Sequence, residues 1–389
     1  FGHKKIVHWL LTPKPKCKVL KPLLLLTTAA QNNHVLLLDC LKQKLQVCNY
    51  KQVVIAATAS GSHDTLLWLW THQIYFPPSA VNTAARHGHL FVLQWMVQNG
   101  MYLYNDALHC AATNGHLHII KWIYHYRPLP KKQLEYAVFR ATEKGHLHII
   151  NYIANKILVL PWVNLFNIAA KKGYIHVMTW LFQKLNTKYI SHNEITMSYA
   201  IQGGKLDAVK WLTSHGYNIV SHLKLAATCG YVHILEWAYI YKHILPSIGA
   251  CASTAYNGHI ETLQWLWDHG RRADCESAIS AASNGKIYVL DWLYRKGIRF
   301  TIHVANAATA NGMLDTIQWL YNIPDTSVLP TQIGVNAAVL SNHFSVVQWC
   351  WLHGIYCSFY TLLKADTKEC AFICSWIRSQ NEFKMTFGV

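Results

Sequence analysis

Acidic residues are scarce: 18 of 389 positions are Asp or Glu, against 35 Lys or Arg, for a formal charge of +17. No carboxylate pair recurs, so chemistry built on paired acids has little to work with. There is no G-x-S-x-G, no phosphate loop, no H-E-x-x-H and no kinase signature set, which points away from an enzyme and leaves no catalytic, metal or cofactor site and no small-molecule substrate to expect. No apolar run reaches the about 18 residues of a membrane span, and Leu23–Leu26 is too short and too far inside for a signal segment. The eleven cysteines have no C-x-x-C and no framework spacing. They read as buried thiols of a reducing, intracellular and cytoplasmic setting. Prolines number only 11, and with 52% hydrophobic and 14% charged residues the chain buries much of itself and is not a disordered one.

Tryptophan, with 16 copies, is what the chain has in excess. A Gly or Asn stands seven residues before a Trp almost throughout, from Gly2 and Trp9, through Gly61 and Trp68, Gly88 and Trp95, Gly115 and Trp122, to Gly312 and Trp319 and Asn342 and Trp349. The turn positions are Gly61, Gly88, Gly115, Gly145, Gly173, Gly204, Gly230, Gly258, Gly285 and Gly312, with Asn33 and Asn342 as substitutes. Successive Trp-equivalents are 26 to 31 residues apart, and Ala365 with Trp376 makes a degenerate last copy. This regularity predicts a single solenoid over 1–389, with units ending near 12, 44, 72, 100, 127, 156, 185, 216, 242, 270, 297, 323, 354 and 380, and no linker.

Two alanines usually precede the glycine, as at Ala84-Ala85 and Ala111-Ala112, where small side chains let helices approach closely. After it, Gly115-His116-Leu117-His118-Ile119-Ile120-Lys121-Trp122-Ile123 has its apolar residues on one helical face. Each unit is therefore a short helix, a left-handed glycine turn and a second helix. Second glycines at Gly100, Gly216, Gly270, Gly297 and Gly354 close several second helices, and Pro77, Pro128, Pro161, Pro246 and Pro324 fall in the connections. The fold class is all-α, a superhelical array of about 13–14 helix-turn-helix units.

The pattern A-A-x-x-G-H-L-x-x-L-x-W-L-x-x-x-G resembles the ankyrin repeat over essentially the whole chain, most clearly at Ala84–Gly100, Ala111–Trp122 and Ala255–Gly270. It looks most like the divergent Trp-rich arrays of large DNA viruses and protists. The T-P-L-H opening is missing and the units are shorter than the family's usual about 33 residues. The resemblance implies a protein-binding scaffold. Because the missing residues belong to the family's hairpin finger, binding is expected on the concave surface of the first helices. Recruitment of a host or endogenous protein is the implied role, in the cytoplasm of a host or in a virion. An attached F-box is absent from this sequence.

The tryptophans are read as packing between successive units, with Trp70, Trp162, Trp267 and Trp351 the candidates for exposed contacts. Histidines directly after the turn glycine (His3, His89, His116, His146, His259) are expected to hold the turn. Histidines two places on (His118, His148, His176, His233) form a stripe open to metal or mild acid, though units about 10 Å apart are too far for one small ion. The net positive charge sits in residues 1–52 and 121–188. Lys4, Lys5, Lys14, Lys16, Lys18 and Lys21 form the first cluster. The second, the candidate binding patch, is Lys121, Arg127, Lys131, Lys132, Arg140, Lys144, Lys171 and Lys172. Two readings stand for it: a solvated face, or a surface that docks an acidic protein. Phosphate backbone is the alternative acidic partner, which would make this a nucleic-acid-associated protein. A repeated base-reading code is not visible before the glycines, where Arg86-His87, Lys171-Lys172 and Ser283-Asn284 differ. A structural part of a larger assembly, such as a virion, is a third possibility.

Overall fold

A computed structural model describes residues 22–44, 49–157, 160–184, 194–323, 328–365 and 370–387. Gly2, His3, Trp9, the lysines from Lys4 to Lys21, and Pro324 lie outside the described residues. Among the described residues there are 26 α-helices, one short 3-10 turn at Val220–His222 and no strand. None of these helices is long and apolar enough to cross a membrane.

The chain divides into two compact bodies, Phe1–Ile190 and Ser191–Val389. In the first, the helix pairs are Pro22–Gln31 with Val35–Lys44, Lys51–Ser60 with His63–Thr71, and Ser79–His87 with Leu90–Gln98. They continue as Asn105–Asn114 with Leu117–Tyr126, Lys131–Lys144 with Leu147–Ala154, and Trp162–Lys172 with Ile175–Lys184. The second body repeats the plan from Ile195–Gln202 with Leu206–Ser214 to Phe359–Ala365 with Ala371–Phe387.

The turn glycine ends each first helix by a specific closure. Gly115 takes φ +86°, and the His116 N–H reaches back 2.9 Å to the Ala111 carbonyl. At Gly88 the φ is +83° and His89 N–H donates to Ala84 O at 3.0 Å. This six-to-one bond satisfies a carbonyl that a helix end would otherwise leave open. The alanine that accepts it is fully buried, as is its neighbour, at Ala84, Ala85, Ala111 and Ala112. With side chains that small, each first helix packs tightly on the next, and successive second helices stand further apart.

The wider spacing outside is filled by larger groups. Ile119, Ile120 and Ile123 are fully buried, and so are Val289, Leu290 and Leu293 in the second body. Trp122 and Trp292 are only half-buried. The residue before the last core position lies about 100° around the helix, so the indole faces the neighbouring second helix. There Trp267 meets Trp292 edge-on at 5.8 Å, whereas Trp180 packs within its own pair, where Trp162 at the start of the first helix tilts over it at 6.2 Å. Of the four outlying tryptophans, Trp70 is exposed and Trp162 and Trp267 are half-buried, but Trp351 is buried against Trp376 and Tyr356. Trp351 is thus core, because the last turn of its helix lies under the final pair. The connection from Tyr126 to Lys131 is tight, and no connection carries a strand among the described residues.

Candidate functional site

The histidines after the glycine are ties between repeats. His116 Nε2 donates to the Arg86 carbonyl at 2.9 Å and His118 Nε2 to the Gly88 carbonyl at 2.9 Å. The next repeat does the same, with His146 on Thr113 O at 3.0 Å and His148 on Gly115 O at 3.0 Å. His89 holds Ala59 O at 2.9 Å, His176 holds Gly145 O at 2.9 Å, and His233 holds Gly204 O at 3.2 Å. The sequence pointed to these rings holding their own turn; instead they close the end of the previous first helix. Tyr174 and Tyr231 replace histidine there and reach Glu143 O and Gln202 O with their hydroxyls. The second set, the supposed open stripe, is engaged in the same way. Burial pushes the His116 and His146 pKa values below the usual imidazole range; the backbone bond opposes this, and neighbouring histidines add to it. Among the described residues, no group of three or more His, Cys, Asp or Glu side chains is placed to hold a metal ion.

The eight basic residues predicted as one patch are not gathered at one place. Lys131–Lys144 is a 14-residue helix, about 20 Å long at 1.5 Å per residue, so Lys131 and Lys132 stand at the opposite end from Lys144. Lys121 lies on a second helix with its ammonium over the Tyr152 ring at 5.6 Å. Arg127 is in a connection and donates from Nη2 to Asn105 Oδ1 at 2.7 Å. Lys131 pairs with Glu135 at 3.5 Å. Lys144, Lys171 and Lys172 are exposed at the glycine ends of their helices. These residues are close in sequence, but the reversal of direction at every turn sends them to different ends of the repeats.

Arg140 and Lys144 do enter a shared site. The first helices Ser79–His87, Asn105–Asn114 and Lys131–Lys144 line a groove of about 610 Å3. Its wall holds Asn82, Arg86, Asp106, His109, Cys110, Tyr136, Arg140 and Lys144. Arg140 lies over the Tyr136 ring at 5.1 Å and bonds Glu143 at 3.0 Å. Arg86 and Lys144 have no carboxylate partner among the described residues. Tyr136 and Phe139, both exposed, are stacked with centroids 6.3 Å apart.

His109 is the centre of this groove. Its ring meets Tyr136 edge-on at 4.3 Å, and Nδ1 is 3.8 Å from the Asp106 carboxylate. Burial lowers its pKa, Asp106 works against that, and Arg140 adds to it. Its Nε2 and the Oδ1 of Asn82 are buried without a hydrogen-bond partner. Such atoms cost about 1–3 kcal/mol each until something satisfies them. Sequence reasoning did not single out Asn82, Asp106, His109 or Tyr136. The available signal was variation: the position six before the turn glycine is Asn82, His109 and Phe139 in three neighbouring copies whose turns are constant.

Residues 82–123 match the family model described as ankyrin repeats (many copies). That segment carries ankyrin repeats. No curated protein matches it. Among solved structures, the human ASB11 ankyrin repeat domain is 16% identical, covering 50% of this chain and 84% of that one, with a TM-score of 0.27. The pentatricopeptide repeat protein PPR10 in complex with an 18-nt psaJ RNA element is 14% identical over 84% of this chain and 59% of its own, at a TM-score of 0.31. PPR10 from maize is 12% identical over 97% and 71%, at 0.25.

Proposed function

We propose that this ankyrin repeat chain is a non-enzymatic scaffold that binds a protein partner across its first helices and recruits a host or endogenous protein. The observation that carries this is the pair of unsatisfied buried polar atoms, Asn82 Oδ1 and His109 Nε2, in a groove rimmed by Arg86 and Lys144. A segment lying across three repeats supplies hydrogen bonds to the first two and a carboxylate to the cations. The absence of any strand among the described residues supports placing the contact on helices and not on hairpin fingers.

The test is capture of partners by the tagged chain from cells of its own host at physiological salt, with and without nuclease. A specific protein that survives nuclease and is lost from the Arg86→Glu, Lys144→Glu variant supports the scaffold. Partners that vanish with nuclease overturn it in favour of nucleic-acid association. That second reading has one observation behind it: the exposed Tyr136 and Phe139 rings beside Arg140 offer a platform for stacked bases.

A further inference from the structure

Of the lysines left out of the groove, Lys131 stands at the other end of the repeats. Where the connections are tight, a pocket of about 650 Å3 opens between two of them, lined by Tyr124, Pro128, Leu129, Lys131, Lys156 and Ile157. One wall is the Tyr124 ring, which meets the neighbouring Tyr152 ring edge-on at 6.4 Å. The Lys156 ammonium stands over both, 5.5 Å from Tyr124 and 5.8 Å from Tyr152, and the Lys121 ammonium stands over Tyr152 at 5.6 Å. Two like charges are thus held over one ring. Neither has a carboxylate partner among the described residues, and the two acids on the adjoining helix Lys131–Lys144, Glu135 and Glu143, are engaged by Lys131 and Arg140. The Tyr152 hydroxyl is buried and without a hydrogen-bond partner. Ring faces orient these ammoniums without neutralising them, since a quadrupole attracts a cation but brings no net charge.

We infer that this pocket anchors an acidic side chain followed by an apolar one, presented by a segment of the protein partner. The carboxylate would be drawn to Lys156 in the pocket, with Lys121 over the neighbouring Tyr152 ring, and the apolar side chain would sit against Pro128, Leu129 and Ile157. This rests on the reading that the array binds protein, but at a place distinct from the first-helix groove. It also gives Lys121 and Lys131 a role that the groove does not. Charge complementarity argues for the occupant: the Lys156 and Lys121 ammoniums, neither with a carboxylate partner, stand over tyrosine rings beside an apolar wall, and a carboxylate brought to them lowers their mutual repulsion while leucine-like surface leaves water.

The probe is a fluorescein-labelled peptide of alternating Glu and Leu, followed by fluorescence polarisation on the full chain. Companion peptides carry Lys for every Glu, or Ser for every Leu. Saturable binding of the Glu-Leu peptide is expected, with roughly tenfold weakening in the Lys121→Glu, Lys156→Glu variant and in Leu129→Ser, equivalent to about 1.4 kcal/mol. The Arg86→Glu, Lys144→Glu variant should bind the probe as the parent does, which separates failure of this pocket from failure of the groove. Circular dichroism melts of each variant establish that it is folded. The inference is overturned by absence of saturable binding up to about 1 mM probe, by equal binding of either companion peptide, or by undiminished binding to the Lys121→Glu, Lys156→Glu variant. A thymidine oligonucleotide that competes through the same lysines and binds more tightly than the peptide also overturns it.

Discussion

Two demands converge on Gly115. Its φ of +86° lies where a side chain is strained, and a Cβ there would stand 3.0 Å from the His146 ring of the next repeat. Gly100, at φ +85°, meets the first demand only, since a Cβ would touch nothing within 4 Å. Gly100→Ala should therefore lose about 1 kcal/mol from backbone strain, and Gly115→Ala about 2–3 kcal/mol because the tie is displaced as well. Urea denaturation of both variants checks the difference; equal losses would mean that the ring gives way freely. The same ties set a pH dependence. His116 and His146 have folded pKa values below the unfolded value of about 6.5, so the unfolded chain takes up protons first as pH falls. Their contribution is therefore complete above that value and lost as pH drops through the lowered folded values. Between pH 7.5 and 5.5 the denaturation midpoint should fall, and a His116→Gln, His146→Gln variant, whose amide N–H can still donate to the carbonyl, should fall less.

Among the elements, the helix pair was the most legible feature, because the closure at the glycine and the buried apolar triplet both write themselves into fixed spacings. Position on the helix was less legible. The regular Trp marked the repeat but not the core: Trp122 is half-buried while Ile120, two residues earlier, has no exposed surface. Ile120→Ala should cost about 2–5 kcal/mol, as for a filled core position, and Trp122→Ala about 1–2 kcal/mol, since much of its ring already meets water. Thermal melts rank the two, and a larger loss at Trp122 would place the second-helix seam, not the triplet, at the centre of stability. The groove was less legible still. Its residues come from three first helices at positions that vary from copy to copy, and a single sequence gives no reason to prefer His109 over its equivalents Asn82 and Phe139. Only the packing, which leaves His109 Nε2 and Asn82 Oδ1 without partners, marks these two positions.

The charge of the whole molecule follows its two bodies. Residues 1–190 carry 21 Lys or Arg against 5 Asp or Glu, and residues 191–389 carry 14 against 13. Of the +17 total, the first body therefore holds +16. Both the groove and the lysine pocket belong to that body. A field of one sign over one body speeds encounter with an acidic partner, and added salt screens it within about 10 Å at 0.1 M. Contacts buried after docking are screened far less. The association rate constant for the captured protein should therefore fall about tenfold or more between roughly 0.05 and 0.5 M salt, with the dissociation rate nearly constant. Surface plasmon resonance on the full chain separates the two rates. A dissociation rate that rises steeply with salt while association stays flat would mean that the lysines and arginines hold the partner by exposed ion pairs and do not steer it. Scattered single charge reversals in the second body, such as Lys205→Glu, should leave the association rate unchanged, because there the two signs already balance.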